Sequence, residues 1–123
     1  MREIKFRAWH DGEMYDVDDL RFNVAGVSYA HLIQPSGRML YHTPDMSKIE
    51  LMQFTGLLDE QGREVYESDI VEYAAIGVRG VVTWMDPGLF YCVRHANAIH
   101  GIHNGWTIIG NIYENPDLVE EPS

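Results

Sequence analysis

Turn signals recur in this chain at nearly even spacing, with glycines at positions 12, 37, 62 and 88, and this pattern constrains the fold more than any other feature. Each signal is flanked by apolar or aromatic arms of strand character, so the chain is expected to fold as antiparallel hairpins. The first signal, Asp11-Gly12, lies between Ile4–Trp9 and Met14–Val17. Asp-Gly favours a two-residue type I′ turn, because both central residues need positive φ, and that loop length fixes the register. Phe6 then faces Val17 and Ala8 faces Tyr15. On the other face Lys5 lies opposite Asp18, Arg7 opposite Asp16 and Trp9 opposite Met14, so opposite charges meet across the strands.

Gln34-Pro35-Ser36-Gly37 has Pro second and Gly fourth, as a type I turn prefers, and joins Val27–Ile33 to Arg38–Tyr41. Asp59-Glu60-Gln61-Gly62 suits a type I turn closed by a glycine bulge, which sets Asp59 near Arg63 and Leu57 near Val65. Asp86-Pro87-Gly88 separates Val81–Met85 from Leu89–Val93, two arms so apolar that both faces are expected to be covered. Asp69–Tyr73 and a turn over Gly77–Gly80 supply another strand pair. The even spacing is compatible with an internal repeat, but evenly sized hairpins produce it without duplication. Ser47 to Glu50 has the form of a capping box, yet Leu51–Phe54 reads as a strand entering the third turn. Near the end, a strand over Trp106–Ile109 passes Gly110, and Asn115 as N-cap with Pro116 as first helical residue opens a short helix. The expectation is one mainly β domain over residues 1–123, a small barrel or two packed sheets, with a short C-terminal helix.

A hydrophobic fraction of 46% with 23% charged residues supports a real core at 123 residues without disulfides or a structural metal. The single cysteine, Cys92, sits in an apolar run and is read as a small buried hydrophobe. Charges interrupt the first seven residues where a signal peptide needs an apolar run, and no stretch reaches membrane-spanning length, so the cytoplasm is the expected location. The formal charge of −10, from 19 acids against nine Lys and Arg, disfavours direct binding to nucleic acid, whose phosphates demand a basic footprint.

Three separated segments, MREIKFRAWHDGEMY, MQFTGLLDEQGREVYESDIVEY and IIGNIYENPDLVE, together resemble the YopX family of small phage and prophage proteins. The resemblance implies a phage or prophage gene product acting in a bacterial cytoplasm. It implies no reaction and supplies no catalytic residue. Ser68 departs from the family pattern, which usually has glycine after the acidic residue, so either that backbone position tolerates a side chain or the turn is altered here.

Candidate chemistry is sparse. His95, His100 and His103 offer imidazoles for a transition metal, the basis for an alternative reading as a metal-assisted hydrolase. Their spacing matches no established zinc pattern, and residues three apart on a strand point to opposite faces. No metal and no cofactor are therefore expected. No nucleophile elbow or phosphate loop is present, Gly77–Gly80 reading as a plain turn, and the paired carboxylates read as solvated edges. The favoured reading is a non-enzymatic protein-binding or assembly module. It would use exposed aromatics, with Tyr66, Tyr73 and Tyr113 as candidates, or a free sheet edge, to hold a protein partner or its own copies. A second reading is an acidic mimic of nucleic acid that inhibits a host enzyme. By either, Asp59, Gly62 and Asp69 belong to tight bends rather than to a reactive centre.

Overall fold

The Asp11-Gly12 pair adopts the backbone its chemistry demands, with φ of 50° and 78°, and the strands on either side meet in the expected register. In the computed structural model, which describes residues 4–23, 26–34, 49–85, 90–95, 98–103 and 105–118, β1 (Phe6–His10) and β2 (Glu13–Asn23) pair antiparallel through Arg7–Asp16, Ala8–Tyr15 and Trp9–Met14. The described residues are mostly strand, arranged in two antiparallel sheets whose orders are β3-β2-β1-β4-β5 and β10-β6-β7-β8-β9. The remaining strands are β3 (Gly26–Ile33), β4 (Glu50–Leu58), β5 (Glu64–Tyr66), β6 (Asp69–Tyr73), β7 (Val78–Met85), β8 (Phe90–His95), β9 (Ala98–Gly101) and β10 (Thr107–Asn111). Neither sheet closes on itself, so of the two expected architectures the open two-sheet one is found and the barrel is not.

The chain forms two compact units, one over Ile4–Gln53 and one beginning at Phe54, with β4 running through the boundary. In the first unit, Ala8, Tyr15, Leu32 and Ile49 form a buried cluster. The hydroxyl of Tyr15 donates to Glu13 Oε2 at 2.8 Å, and burial, then the Glu13 bond and charge, push its pKa above 10.0. Strand β2 runs far beyond the Met14–Val17 arm legible in the sequence, and its pairing with β3 shifts register twice, between Val17 and Asp19 and between Arg21 and Phe22.

In the second unit Val65, Val71, Val82, Val93 and Trp106 form the core, with Tyr73, Val78, Ile102 and Ile108 against it. The arms expected on either side of Asp86-Pro87-Gly88 pair as β7 and β8 through Met85–Phe90 and Val82–Val93. That turn, the Gln34–Gly37 turn beyond Gln34, the Arg38–Tyr41 arm and Ser47 of the capping box lie outside the described residues, as does the side chain of Cys92. Glu50 opens β4, so the helix that the capping box permitted is a strand.

Two local expectations are corrected. The β6–β7 turn is Ala74–Gly77, with Gly77 at φ 66°, whereas Gly80 lies inside β7 opposite Val71. A Cβ at Gly80 would run into the Arg94 carbonyl on the neighbouring strand, so glycine is required there by close backbone approach and not by a bend. The expected C-terminal helix is only a 3-10 turn, Pro116–Leu118. Asn115 does not cap it with its side chain, because its Oδ1 accepts the Asn111 N–H at 3.3 Å. Asn111 is the capping residue of this segment: its Oδ1 accepts the N–H groups of Tyr113 and Glu114 at 3.0 and 2.9 Å.

Candidate functional site at the two edges of the second sheet

The order of the second sheet makes β10 and β9 its end strands, each with one side of its backbone free of a neighbouring strand. Such edges invite pairing with other chains unless they are covered. The two are treated differently here.

The β10 edge is covered by the turn between β4 and β5. Gly62 N–H donates to the Asp59 carbonyl at 3.0 Å, Gly62 has φ 83°, and Leu58 pairs with Glu64, as a type I turn with a glycine bulge requires. That geometry aims the Asp59 carboxylate across to β10. Its Oδ1 accepts the backbone N–H groups of Gln61 and Arg63 at 3.0 and 2.8 Å, and its Oδ2 accepts Arg63 Nε at 3.1 Å and the Ile108 N–H at 3.0 Å. Arg63 Nη2 sits 3.0 Å from the same Oδ2 and donates to the Ile108 carbonyl at 2.7 Å, while Glu60 N–H donates to the Trp106 carbonyl at 2.9 Å. One acid and one base thus satisfy both backbone groups of Ile108, as a neighbouring strand would. Burial penalises the charged form of Asp59, yet the N–H groups of Ile108, Arg63 and Gln61 and the Arg63 guanidinium outweigh it and hold the carboxyl below 3.8. Every acceptor site is engaged in scaffold, so no lone pair is left for a substrate.

The next bend of the same motif is scaffold too. Asp69 is buried and its Oδ2 accepts the Tyr66 N–H at 2.8 Å. Ser68 holds φ 73° with its N–H donating to Val82 and its carbonyl accepting from Ile112. The turn keeps the geometry suited to glycine although a serine occupies it.

The β9 edge has no such cover: among the described residues, no strand pairs with its outer side. Behind it Trp106, 1% exposed, is ringed by Tyr73, His103 and His100 at centroid distances of 5.4, 6.2 and 6.0 Å, and Tyr73 meets His103 edge-on at 5.1 Å. His103 Nδ1 accepts the Gly105 N–H at 3.0 Å, which makes the neutral ring the Nε2–H tautomer. The structure therefore brings His100 and His103 to one indole rather than to one another as a ligand pair. The side chain of His95, on β8, lies outside the described residues, and no group of three or more His, Cys, Asp or Glu that could hold a metal is found among those described.

Of the aromatic candidates, Tyr66 is buried, its ring 5.5 Å from that of Phe54, so the expectation of an exposed contact residue fails there. It ends a short strand whose preceding residue, Val65, enters the core. Tyr73 is half-buried beside Trp106, and Tyr113 is half-buried in the turn after β10. Among the described residues of this unit, the large apolar side chains that are exposed are Leu58, Ile76, Trp84 and Ile99, the last two on β7 and β9.

Charge marks the same region. Residues 73–113 hold two arginines, Arg79 and Arg94, and one acid, Asp86, for a formal +1, whereas the other 82 residues hold seven bases and 18 acids, for −11. Register aligns Val81, Arg94 and Ile99 across β7, β8 and β9, with Arg79 two residues before Val81 on the same face. Both arginines are exposed, and neither is paired with another described residue.

A family model described as "YopX protein" matches residues 5–120. Among solved structures, protein EF1440 from Enterococcus faecalis aligns at a TM-score of 0.68 and 24% identity, covering 98% of this chain and 100% of that one. Protein yopX from Bacillus subtilis aligns at 0.60 and 19%, with the same coverages. At these identities the two structures show a shared fold. No curated protein matches the chain. With the family model spanning both compact units and the strands of both sheets, the chain belongs to the YopX protein family.

Proposed function

We propose that this chain is a phage- or prophage-encoded, non-enzymatic module of the bacterial cytoplasm that holds a protein partner on the outer face of β7–β9 and along the β9 edge. The observation that carries the reading is the contrast between the two end strands. The β10 edge is covered by Asp59 and Arg63, while β9 ends the sheet beside exposed Ile99 and an Arg94 that pairs with no other described residue. Acidic surface elsewhere keeps the protein soluble and repels other chains, so contacts concentrate where acids are missing. The bacterial setting follows the family resemblance, and no helix of the described residues is long and apolar enough to cross a membrane.

The test is a comparative capture from infected or lysogenic cells, using wild type and the double variant Ile99→Asp with Arg94→Glu. Proteins held by wild type and released by the variant, at unchanged thermal midpoint, are the expected result. An identical set on both baits removes this face from the function.

A further inference from the structure

Resting on that reading of the face, we propose that its partner is an extended segment carrying acids at alternate positions, which adds to the sheet as a strand beside β9. The backbone of β9 sets the geometry. His95 and Ala98 flank a two-residue connection and pair with each other, so in an antiparallel ladder they exchange hydrogen bonds, as do Val93 and His100. Ile99 and Gly101 then turn their backbone groups outward. The Trp106 indole N–H confirms the parity by donating to the Gly101 carbonyl at 3.2 Å. Among the described residues, the N–H and C=O of Ile99 and the N–H of Gly101 are left without a strand partner, a short run for an incoming strand, with Trp106 stopping it at one end.

Side chains decide which strand fits. A strand added at about 4.8 Å from β9 stands about 10 Å from the Arg94 backbone, a gap that an extended arginine and a glutamate bridge together. Alternate residues of the added strand share the face of Ile99, Arg94 and Arg79, so an acid beside Ile99 meets the Arg94 guanidinium, and acids two positions along lie in the positive field of Arg79, one strand farther off at about 14 Å. The residues between them fall on the opposite face, the side of His100 and Trp106, where apolar side chains fit. β9 itself carries no Lys, Glu, Asp or Pro, the residues by which natural edges refuse a strand. A second copy fits less well, since two β9 strands side by side would place the arginines of both copies on one face without an acid between them. The acidic remainder of the chain repels such a segment at long range, but screening over about 8 Å at physiological salt leaves the contact to the local arginines.

Fluorescence anisotropy with three labelled probes tests this: the octapeptide (Glu-Val)4, its (Lys-Val)4 counterpart, and (Glu-Val)4 with alternate backbone nitrogens methylated. Wild type is expected to bind (Glu-Val)4 at least about tenfold tighter than either of the others. Arg79→Glu with Arg94→Glu is expected to remove that preference. Ile99→Pro, which deletes an outward N–H and spares the ladder to β8, is expected to abolish binding. Equal binding of the acidic and basic peptides overturns the acidic partner but leaves an edge site. Undiminished binding of the methylated probe overturns strand addition. If no peptide binds while the cell-capture experiment still shows partners lost with Ile99→Asp and Arg94→Glu, the inference falls and the proposed function stands; if neither experiment shows binding at this face, both fall.

Discussion

Replacing Asp59 with alanine removes the group that joins the β4–β5 turn to β10. Three backbone N–H groups and Arg63 Nε lose their acceptor, and the Arg63 guanidinium keeps its bond to the Ile108 carbonyl. Bonds to a charged acceptor contribute about 1.5–3 kcal/mol each, so the three backbone bonds alone sum to about 5–9 kcal/mol. They share one carboxylate whose burial opposes them, and the Arg63 side chain is 49% exposed, so the sum overstates the loss. Removing one member of a buried pair costs about 3–5 kcal/mol, and the lower half of that range, about 3–4 kcal/mol, is the expected destabilisation. Against a usual total of about 5–15 kcal/mol, the variant would be marginal. Urea denaturation followed by tryptophan fluorescence and circular dichroism measures it, with Asp59→Asn as the milder variant and Gln61→Ala, on an exposed neighbour, as control. The pH dependence is fixed in sign. The folded carboxyl titrates below its unfolded value of 3.8, so its contribution is full above that pH and is lost as pH falls through the folded pKa. The gap between wild type and Asp59→Asn should persist at pH 6 and shrink below pH 3.8. An Asp59→Ala cost under about 1 kcal/mol, or a gap indifferent to acid, would refute the assignment of this residue to edge covering.

Two further substitutions probe the backbone. Ser68→Gly should raise stability by about 0.5–1 kcal/mol, because relief of the left-handed cost exceeds the entropy glycine adds to the unfolded chain; a lower thermal midpoint would contradict the φ of 73°. Gly80→Ala should cost about 2–3 kcal/mol, since the added methyl meets the Arg94 backbone, while Gly101→Ala, with open space around its Cβ position, is the control; equal denaturation midpoints would show that the β7–β8 approach is looser than described.

Turn chemistry was the most legible part of this protein. Asp11-Gly12 and Asp59–Gly62 carry their φ requirements in residue type, and a fixed loop length then sets register without reference to the rest of the fold. The long β2–β3 pairing was not legible, because two register shifts break the alternation on which a strand reading depends. Strand β9 was missed for a different reason. Ala98-Ile99-His100-Gly101 has little strand propensity, and it becomes a strand by pairing with β8. For a contact surface the letters offered two alternatives, exposed tyrosines or a free sheet edge, and one of the tyrosines, Tyr66, is buried because its strand turns it towards Phe54. The run of 41 residues holding one acid was a signal already present in the letters, and its meaning depended on which strands it formed.

The sequence by itself determined the hairpins, the absence of long helices among the described residues, and the family, because φ preferences and local order act between near neighbours. Only the tertiary structure decided that Asp59 ends against Ile108, 49 positions away, that Gly80 is a strand glycine and not a bend, and that among the described residues one edge of the second sheet is covered by a turn while no strand pairs with the other, β9. Those outcomes depend on which backbone groups are left without a partner once every strand has been placed, and that is a property of the assembled sheet rather than of any short stretch of chain.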